Sequence, residues 1–403
     1  MAKRRNRCLD LTRFDSVART CLLVLFAVLS ILAVSGRGAV SANMDTTAKA
    51  AIVKDMTSGT ILMEKNPDVR LPPASMSKLM TLYLLFDALK DKRVSLQTRF
   101  QVSRKAAEMG GSKMFLREGE TVTVDDLIRG VIVQSGNDAC IAIAENLAGT
   151  EEAFVRFMNL QGEAMGLETS TFANSTGWPH PHHLMSAMDL ITLAERIIAD
   201  FPEYYGYFKE PSFTWGGITQ NNRNPLLGLD AYVDGLKTGH TNEAGYGLVG
   251  SADNGVRRIL FVVSGLESES ERRRESLRLV NWAFREFSII KVFEHNSRIA
   301  EARVSLGTTG EVGLVSATDL FVTSPFWAKD DMKITLKYRE PLEAPLEKGS
   351  HVADLVVEFP GFPQTTYPLR AESSVERGGV VSRILAVFEI LWIRLYSLVP
   401  GMS

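Results

Sequence analysis

The chain has 403 residues, enough for two folded units with cores of their own. Its formal net charge of −2 falls to −7 once residues 1–42 are set aside, because they hold seven basic and only two acidic residues. That balance excludes nucleic acid as a main partner.

The first 20 residues carry six Arg or Lys against two Asp, and "CLLVLFAVLSILAV" (21–34) is uncharged and apolar. Small residues ending "AVSA" (39–42) follow, so residues 1–42 read as a secretory signal cleaved after Ala42. A retained membrane anchor is the alternative, but its apolar core is shorter than the ~20 residues that span a bilayer. Cleavage also removes Cys8 and Cys21 and leaves Cys140 alone, without an intramolecular disulfide partner. Cys140 lies in the apolar helical pattern "ACIAIAENLA" and reads as core packing.

"AKAAIVKDMTSGTILMEKN" (48–66) predicts two strands around a Ser58–Gly59 turn. In "SMSKLMTLYLLFDALKD", Met76, Leu79, Met80, Tyr83, Leu84 and Ala88 recur at helical spacing. Helices are then expected at "TVDDLIRGVIVQS", "NDACIAIAENLAG", "TEEAFVRFMNLQGEAMG", "AMDLITLAERIIAD" and "ERRRESLRLVNWAFREFS". Strands are expected at "YVDGLKTGHTN", "YGLVGSAD" and "RRILFVVSGL". Strands at both ends with a helical middle predict an α+β domain over 43–292, its sheet closed by distant parts of the chain.

From 295 to 370 short alternating apolar runs broken by Gly, Pro, Asp and Ser predict a small all-β domain. The last stretch, 378–400, contains "VVSRILAVFEILWIRLYSLV". Its Arg383 and Arg394 fall on one helical side, and Leu385, Phe388, Trp392, Leu395, Tyr396 and Val399 gather on the other. Such a helix suits the membrane interface better than a crossing; packing on the β domain is the alternative.

Chemistry concentrates at three places. Ser75 and Lys78 stand three apart, so one helix face would bring the amine to the hydroxyl. Lysine can take a serine proton only if its pKa is lowered, by desolvation or by a second cation. Alone, Ser-x-x-Lys is expected roughly once by chance in a chain of this size. "VQSGNDAC" adds Ser135, Gly136 and Asn137 at a helix break, and "VDGLKTGHTN" adds Lys237, Thr238, Gly239 and His240 on a strand. Ser-x-x-Lys, Ser-Asp-Asn (here Ser-Gly-Asn) and Lys-Thr-Gly occur in the order that marks penicillin-binding proteins and class A β-lactamases.

The chain therefore resembles the low-molecular-mass penicillin-binding proteins, specifically the serine D-alanyl-D-alanine carboxypeptidases. "GGSKMFLREGETVTVDDLIRGVIVQSGNDAC" and "VDGLKTGHTNEAGYGLVGSA" carry the likeness, as does the order of transpeptidase-like domain, β domain and amphipathic helix. The resemblance implies an enzyme without metal or cofactor that removes the terminal D-alanine from peptidoglycan stem pentapeptides. Ser75 would attack and Lys78 act as base. Ser135 would pass a proton to the leaving amine, and Asn137 would hold Lys78 and the substrate amide. Lys237 would lower the pKa of Lys78 and attract the substrate carboxylate, which Thr238 would hydrogen-bond. Gly239 would let the strand approach closely, and the backbone N–H groups of Ser75 and His240 would form an oxyanion hole. β-Lactams would acylate Ser75. Localisation would be periplasmic, with peripheral attachment to the outer face of the inner membrane.

Glu267 stands in "SGLESESERRRES" near the place where some members of this family carry an Arg, and Arg223 resembles a further family position. Ser112 resembles a loop bordering the active site. His180, His182 and His183 lack a carboxylate at helical spacing and read as a loop rather than a metal site. Three rivals remain: a DD-endopeptidase, a class A-like β-lactamase and a non-enzymatic envelope scaffold. The β-lactamase is disfavoured because "STFANSTGWPHPHH" has no acidic residue to drive water.

Overall fold

The computed structural model describes residues 44–229 and 232–379. The signal expected at 1–42 and the helix expected past residue 379 lie outside the described residues.

Chain order begins with β1 (Ala50–Asp55) and β2 (Thr60–Lys65), a hairpin turning at Gly59 with φ +75°. A 3₁₀ turn (Ala74–Ser77) leads into α1 (Lys78–Lys90), followed by β3 (Arg99–Gln101), α2 (Arg104–Glu108) and β4 (Thr121–Thr123). The helical middle comprises α3 (Val124–Ile132), α4 (Asn137–Ala148), α5 (Glu151–Ala164) and α6 (Ala187–Asp200). Thr123, Thr150 and Ser186 cap α3, α5 and α6, each side chain accepting from the backbone N–H three residues on. A small hairpin, β5 (Ser212–Trp215) and β6 (Ile218–Asn221), precedes β7 (Val233–Thr241), β8 (Gly245–Asp253) and β9 (Arg258–Leu266). Helix α7 (Glu269–Glu286) ends the α+β part.

The main sheet runs β2-β1-β9-β8-β7, every neighbouring pair antiparallel. The N-terminal hairpin thus pairs with a strand some 200 residues later, which is the closure by distant segments that the sequence suggests. Both faces of the sheet are covered. Ile52, Leu236, Val249, Leu260 and Val262 pack into the helical layer of α1 and α3–α6, whereas Val53, Leu248, Phe261 and Val263 pack under α7 with Leu279 and Trp282. Adjacent residues such as Ile52 and Val53 face opposite layers because strand side chains alternate.

Helix α7 ends at Glu286, and the chain turns extended at once. β10 (Phe287–Phe293) pairs with β13 (Leu320–Pro325). The remaining strands are β11 (Arg298–Ser305), β12 (Glu311–Ser316), β14 (Lys333–Lys337), β15 (Leu342–Glu343), β16 (His351–Glu358) and β17 (Thr365–Ala371). They form a sheet in the order β14-β16-β17-β12-β11-β15 around Leu314, Val322, Leu355 and Leu369. Among the described residues no helix is long and apolar enough to cross a membrane.

Candidate active site

Ser75 does not sit in the first turn of an α-helix, as its spacing to Lys78 suggests. It lies in the 3₁₀ turn, after Pro73, with Ala74 held at φ +48°, and α1 begins only at Lys78. The tighter turn still brings the two side chains together. Lys78 Nζ donates to Ser75 Oγ at 2.7 Å and to the Thr176 carbonyl at 2.5 Å.

Lys78 is fully buried, and its pKa is lowered to about 8. Desolvation is the main cause, because burial penalises the charged form. The Arg223 guanidinium lowers it further, while Asp138 opposes the shift. The Lys78 and Lys237 charges also oppose each other. Lys237 is itself buried and held well below the ordinary lysine range, first by desolvation and then by the charges of Lys78 and Arg223. Arg223 reaches this region through a 2.5 Å bond from Nη1 to Ser112 Oγ.

Ser135 occupies the break between α3 and α4 with φ +58°, and its buried hydroxyl accepts from Lys237 Nζ at 2.9 Å. Lys237 comes from β7, an edge strand of the main sheet. Asn137, the first residue of α4, donates from Nδ2 to the Gly110 carbonyl at 2.8 Å, and its N–H donates to Ser112 O at 2.8 Å. It does not hold Lys78, contrary to the sequence expectation, because the Thr176 carbonyl takes that place. Asp138 fixes the loop opposite, accepting from the N–H groups of Met114 and Leu116 at 2.9 and 3.1 Å.

The expected close approach at Gly239 is present. A Cβ there would lie 2.7 Å from Pro73 O and 3.0 Å from Met76 Cγ. Gly177 does the same from the other side, at φ +75°, where a Cβ would fall 1.9 Å from Ala74 O. The Ser75 turn is thus wedged between β7 and the 174–178 loop. Asn174 Oδ1 organises that loop by accepting from the N–H groups of Thr176 and Trp178. Glu151 Oε1 accepts from both the N–H and the hydroxyl of Ser175.

Ser75 opens onto a cleft of about 430 Å³ that Ser112, Asn137, Thr176, Trp178 and His240 also line. Thr238 is buried beside it, while the His240 ring is exposed and stacks on Tyr246 with centroids 3.9 Å apart. Sequence reasoning missed Thr176 and Gly177, which lie in the stretch read as a plain loop. A backbone carbonyl leaves no side-chain signature there, although a glycine within "STGW" marks a position needing unusual backbone. The three histidines gather no ligand set. His183 is buried and depressed to about 4, chiefly by desolvation, and among the described residues no cluster of metal-ligating side chains occurs.

Residues 37–268 match the family described as D-alanyl-D-alanine carboxypeptidase. The chain belongs to the D-alanyl-D-alanine carboxypeptidase family. It is accordingly a serine-type carboxypeptidase and hydrolase of this group. Residues 287–377 match the penicillin-binding protein 5 C-terminal domain, which accounts for the β domain. D-alanyl-D-alanine carboxypeptidase DacC of Escherichia coli is 39% identical over 345 residues, covering 84% of this chain and 86% of the relative. The structure of penicillin-binding protein 5 from Haemophilus influenzae superposes with a TM-score of 0.76 at 36% identity, covering 83% of this chain and 99% of the other. Penicillin-binding protein D2 from Listeria monocytogenes, in its ampicillin-bound form, superposes at 0.56 with 29% identity, over 60% of this chain and 99% of that one.

Proposed function

We propose that this carboxypeptidase removes the terminal D-alanine from peptidoglycan stem pentapeptides through an acyl-enzyme on Ser75. The observation that carries the residue roles is the contact between a desolvated Lys78 amine and the Ser75 hydroxyl. At pH near 8 a useful fraction of that amine is neutral and can take the hydroxyl proton. Ser75 Oγ then bonds to the carbonyl carbon of the penultimate D-alanine, with the N–H groups of Ser75 and His240 facing the developing oxyanion. Ser135, hydrogen-bonded to Lys237, passes a proton to the departing nitrogen as the C–N bond breaks and D-alanine leaves, and is made good by the proton that Lys78 took from Ser75. Water then cleaves the ester and restores the serine.

Lys237 and Thr238 receive the terminal carboxylate, Asn137 the substrate amide, and Gly239 keeps the strand close to the nucleophile turn. Arg223 adds a positive field at the same end of the cleft. A β-lactam presents a similar carbonyl and carboxylate and acylates Ser75 in the same way. Because the 170–183 stretch lacks a carboxylate to activate water, the penicilloyl ester is long-lived, which separates this reading from a β-lactamase.

The substrate places the working enzyme outside the cytoplasmic membrane. The charged and apolar pattern of residues 1–42 supports export, and the spacing of aromatic, apolar and charged residues in the 378–400 sequence supports peripheral attachment to the outer face of the inner membrane.

Intact mass after benzylpenicillin, followed by peptide mapping, tests the site. One penicilloyl group on the peptide containing Ser75 is expected, and an adduct elsewhere or rapid drug turnover would refute the assignment. Product masses from a stem pentapeptide test the reaction. Loss of one alanine is expected, whereas crosslinked dimers cut while pentapeptide stays untouched would make the enzyme an endopeptidase.

A further inference from the structure

Arg272 stands in the first turn of α7, after the Ser268 cap, and is 4% exposed. Its Nη2 reaches the largely exposed Glu269 at 3.3 Å, and its Nε is buried without a hydrogen-bond partner. A guanidinium so weakly paired is expensive to bury and must be held by something else. The compensating contact is aromatic. The guanidinium carbon lies 5.6 Å from the centre of the Tyr246 ring.

Tyr246 passes the contact on. Its other ring neighbour is His240, stacked at 3.9 Å with the planes 28° apart, and the two residues face each other across the β7–β8 ladder. His240 lines the cleft together with Ser75. The backbone needs help at this point. β7 is an edge strand with a neighbour on one side only, and the β8–β9 register shifts between Tyr246 and Leu248. The β7–β8 pairing itself is regular here, through His240↔Tyr246 and Thr241↔Gly245, so any looseness of Tyr246 against β9 is passed on to His240.

We propose that Arg272 is a positioning residue for acylation, acting through Tyr246 to hold His240 and the end of β7 against the Ser75 turn. The inference rests on the function proposed above, in which the His240 N–H faces the oxyanion. Misplacing such a donor by about 1 Å can cost up to about a hundredfold in rate, so a clamp remote from the reacting atoms is enough to matter. The same guanidinium adds a like charge near Lys237, which ties the clamp to the protonation of the carboxylate-binding lysine.

The test measures penicilloyl adduct formation by mass over time, together with kcat and KM on a D-Ala-D-Ala peptide and their pH profiles. R272M should slow acylation about tenfold and lower kcat by as much, leave KM within about twofold, and move the high-pH limb upward. R272K should recover to within about threefold, since a cation again faces the ring. Y246L should show the same loss, and R272M/Y246L no more than Y246L alone. Acylation of R272M at the wild-type rate, or losses that multiply in the double variant, would overturn the clamp. If R272M does not fold, Y246L decides, because a wild-type rate there breaks the chain at its middle link. Wild-type protein that takes no adduct on Ser75 would instead sink the proposed function itself.

Discussion

Lys78 Nζ lies 2.7 Å from Ser75 Oγ on a side chain wholly withdrawn from water. Its partners are a hydroxyl and a carbonyl, neither of which repays the hydration of a full positive charge. The amine is therefore depressed to about 8. In the proposed mechanism the free amine is the reactive form, so acylation by benzylpenicillin, itself a carboxylate, should rise about tenfold per pH unit below this value and fall again as Lys237 loses its charge. In that mechanism Lys237 must stay charged to receive the carboxylate, yet it too is depressed. The profile of kcat/KM for a peptide acid should consequently be a bell whose two limbs belong to the coupled pair. A rate flat from pH 6 to 9 would rule out Lys78 as the base.

The same burial has a cost in stability. The amine titrates near 8 in the folded protein against an ordinary 10.5, so between these values the unfolded chain binds more protons. This group's contribution therefore improves as pH rises from about 8 to about 10.5, and below 8 it is a constant penalty of about 3 kcal/mol. Lys78→Met should raise Tm by a few degrees at pH 7 while abolishing acylation, and its advantage should shrink as pH approaches 10.5. Calorimetry across that range checks the sign. A Lys78→Met protein less stable than wild type at pH 7 would mean that the two lost hydrogen bonds outweigh the desolvation.

Much of this site was legible in the sequence because side chains at fixed spacing carry it. Ser75 and Lys78 are three apart on one strongly periodic segment, and Ser135 and Lys237 lie in short motifs whose neighbours, Gly136 and Gly239, mark breaks and close approaches. The fold was legible where periodicity was strong: α3 to α6 and β7 to β9 fall on the segments whose apolar patterns announce them. Three things were hidden. The acceptor that holds Lys78 is the main chain of Thr176, and a carbonyl looks the same at every position. The depressing influence is burial, a property of packing around Lys78 that no local spacing reveals. Asp138, in the first turn of α4, reaches across to the N–H groups of residues 114 and 116, a pairing that only the tertiary fold creates.

The wedge around the nucleophile turn makes the two glycines unequal. At Gly177 an added methyl meets the main-chain carbonyl of Ala74 at 1.9 Å, and the residue also sits at φ +75°, which costs an L-residue roughly 1–2 kcal/mol by itself. At Gly239 the tightest contact, with Pro73 O, is 2.7 Å, and the next is the flexible Met76 side chain. Gly177→Ala should slow penicilloylation by a hundredfold or more and lower Tm. Gly239→Ala should do so by about tenfold, since the Pro73 carbonyl has less far to move than the Ala74 carbonyl and the φ is not strained. Equal effects, or a milder one at Gly177, would show that the 174–178 loop can back away from Ser75 without consequence.

Far from the cleft, a buried polar network joins the sheet to the β domain. Asp55 at the end of β1 is fully buried; its Oδ2 lies 3.3 Å from Arg257 Nη1 and accepts from Thr323 Oγ1 of β13 at 2.9 Å. Ser58 bonds the same Thr323 hydroxyl at 2.6 Å, and Arg257 Nη2 donates to the carbonyls of Ala283 and Phe287, where α7 passes into β10. Removing one member leaves the other buried and unpaired, a loss of about 3–5 kcal/mol. Asp55→Leu should lower Tm by about 10 °C while the folded protein still acylates at the wild-type rate at 25 °C, because Asp55 does not line the cleft. Adding Arg257→Met should restore much of the loss, since two apolar groups strand no charge. If the double variant is less stable than Asp55→Leu alone, the bonds from Arg257 to the two carbonyls outweigh its pairing with Asp55, and the arginine holds the domain junction without the carboxylate.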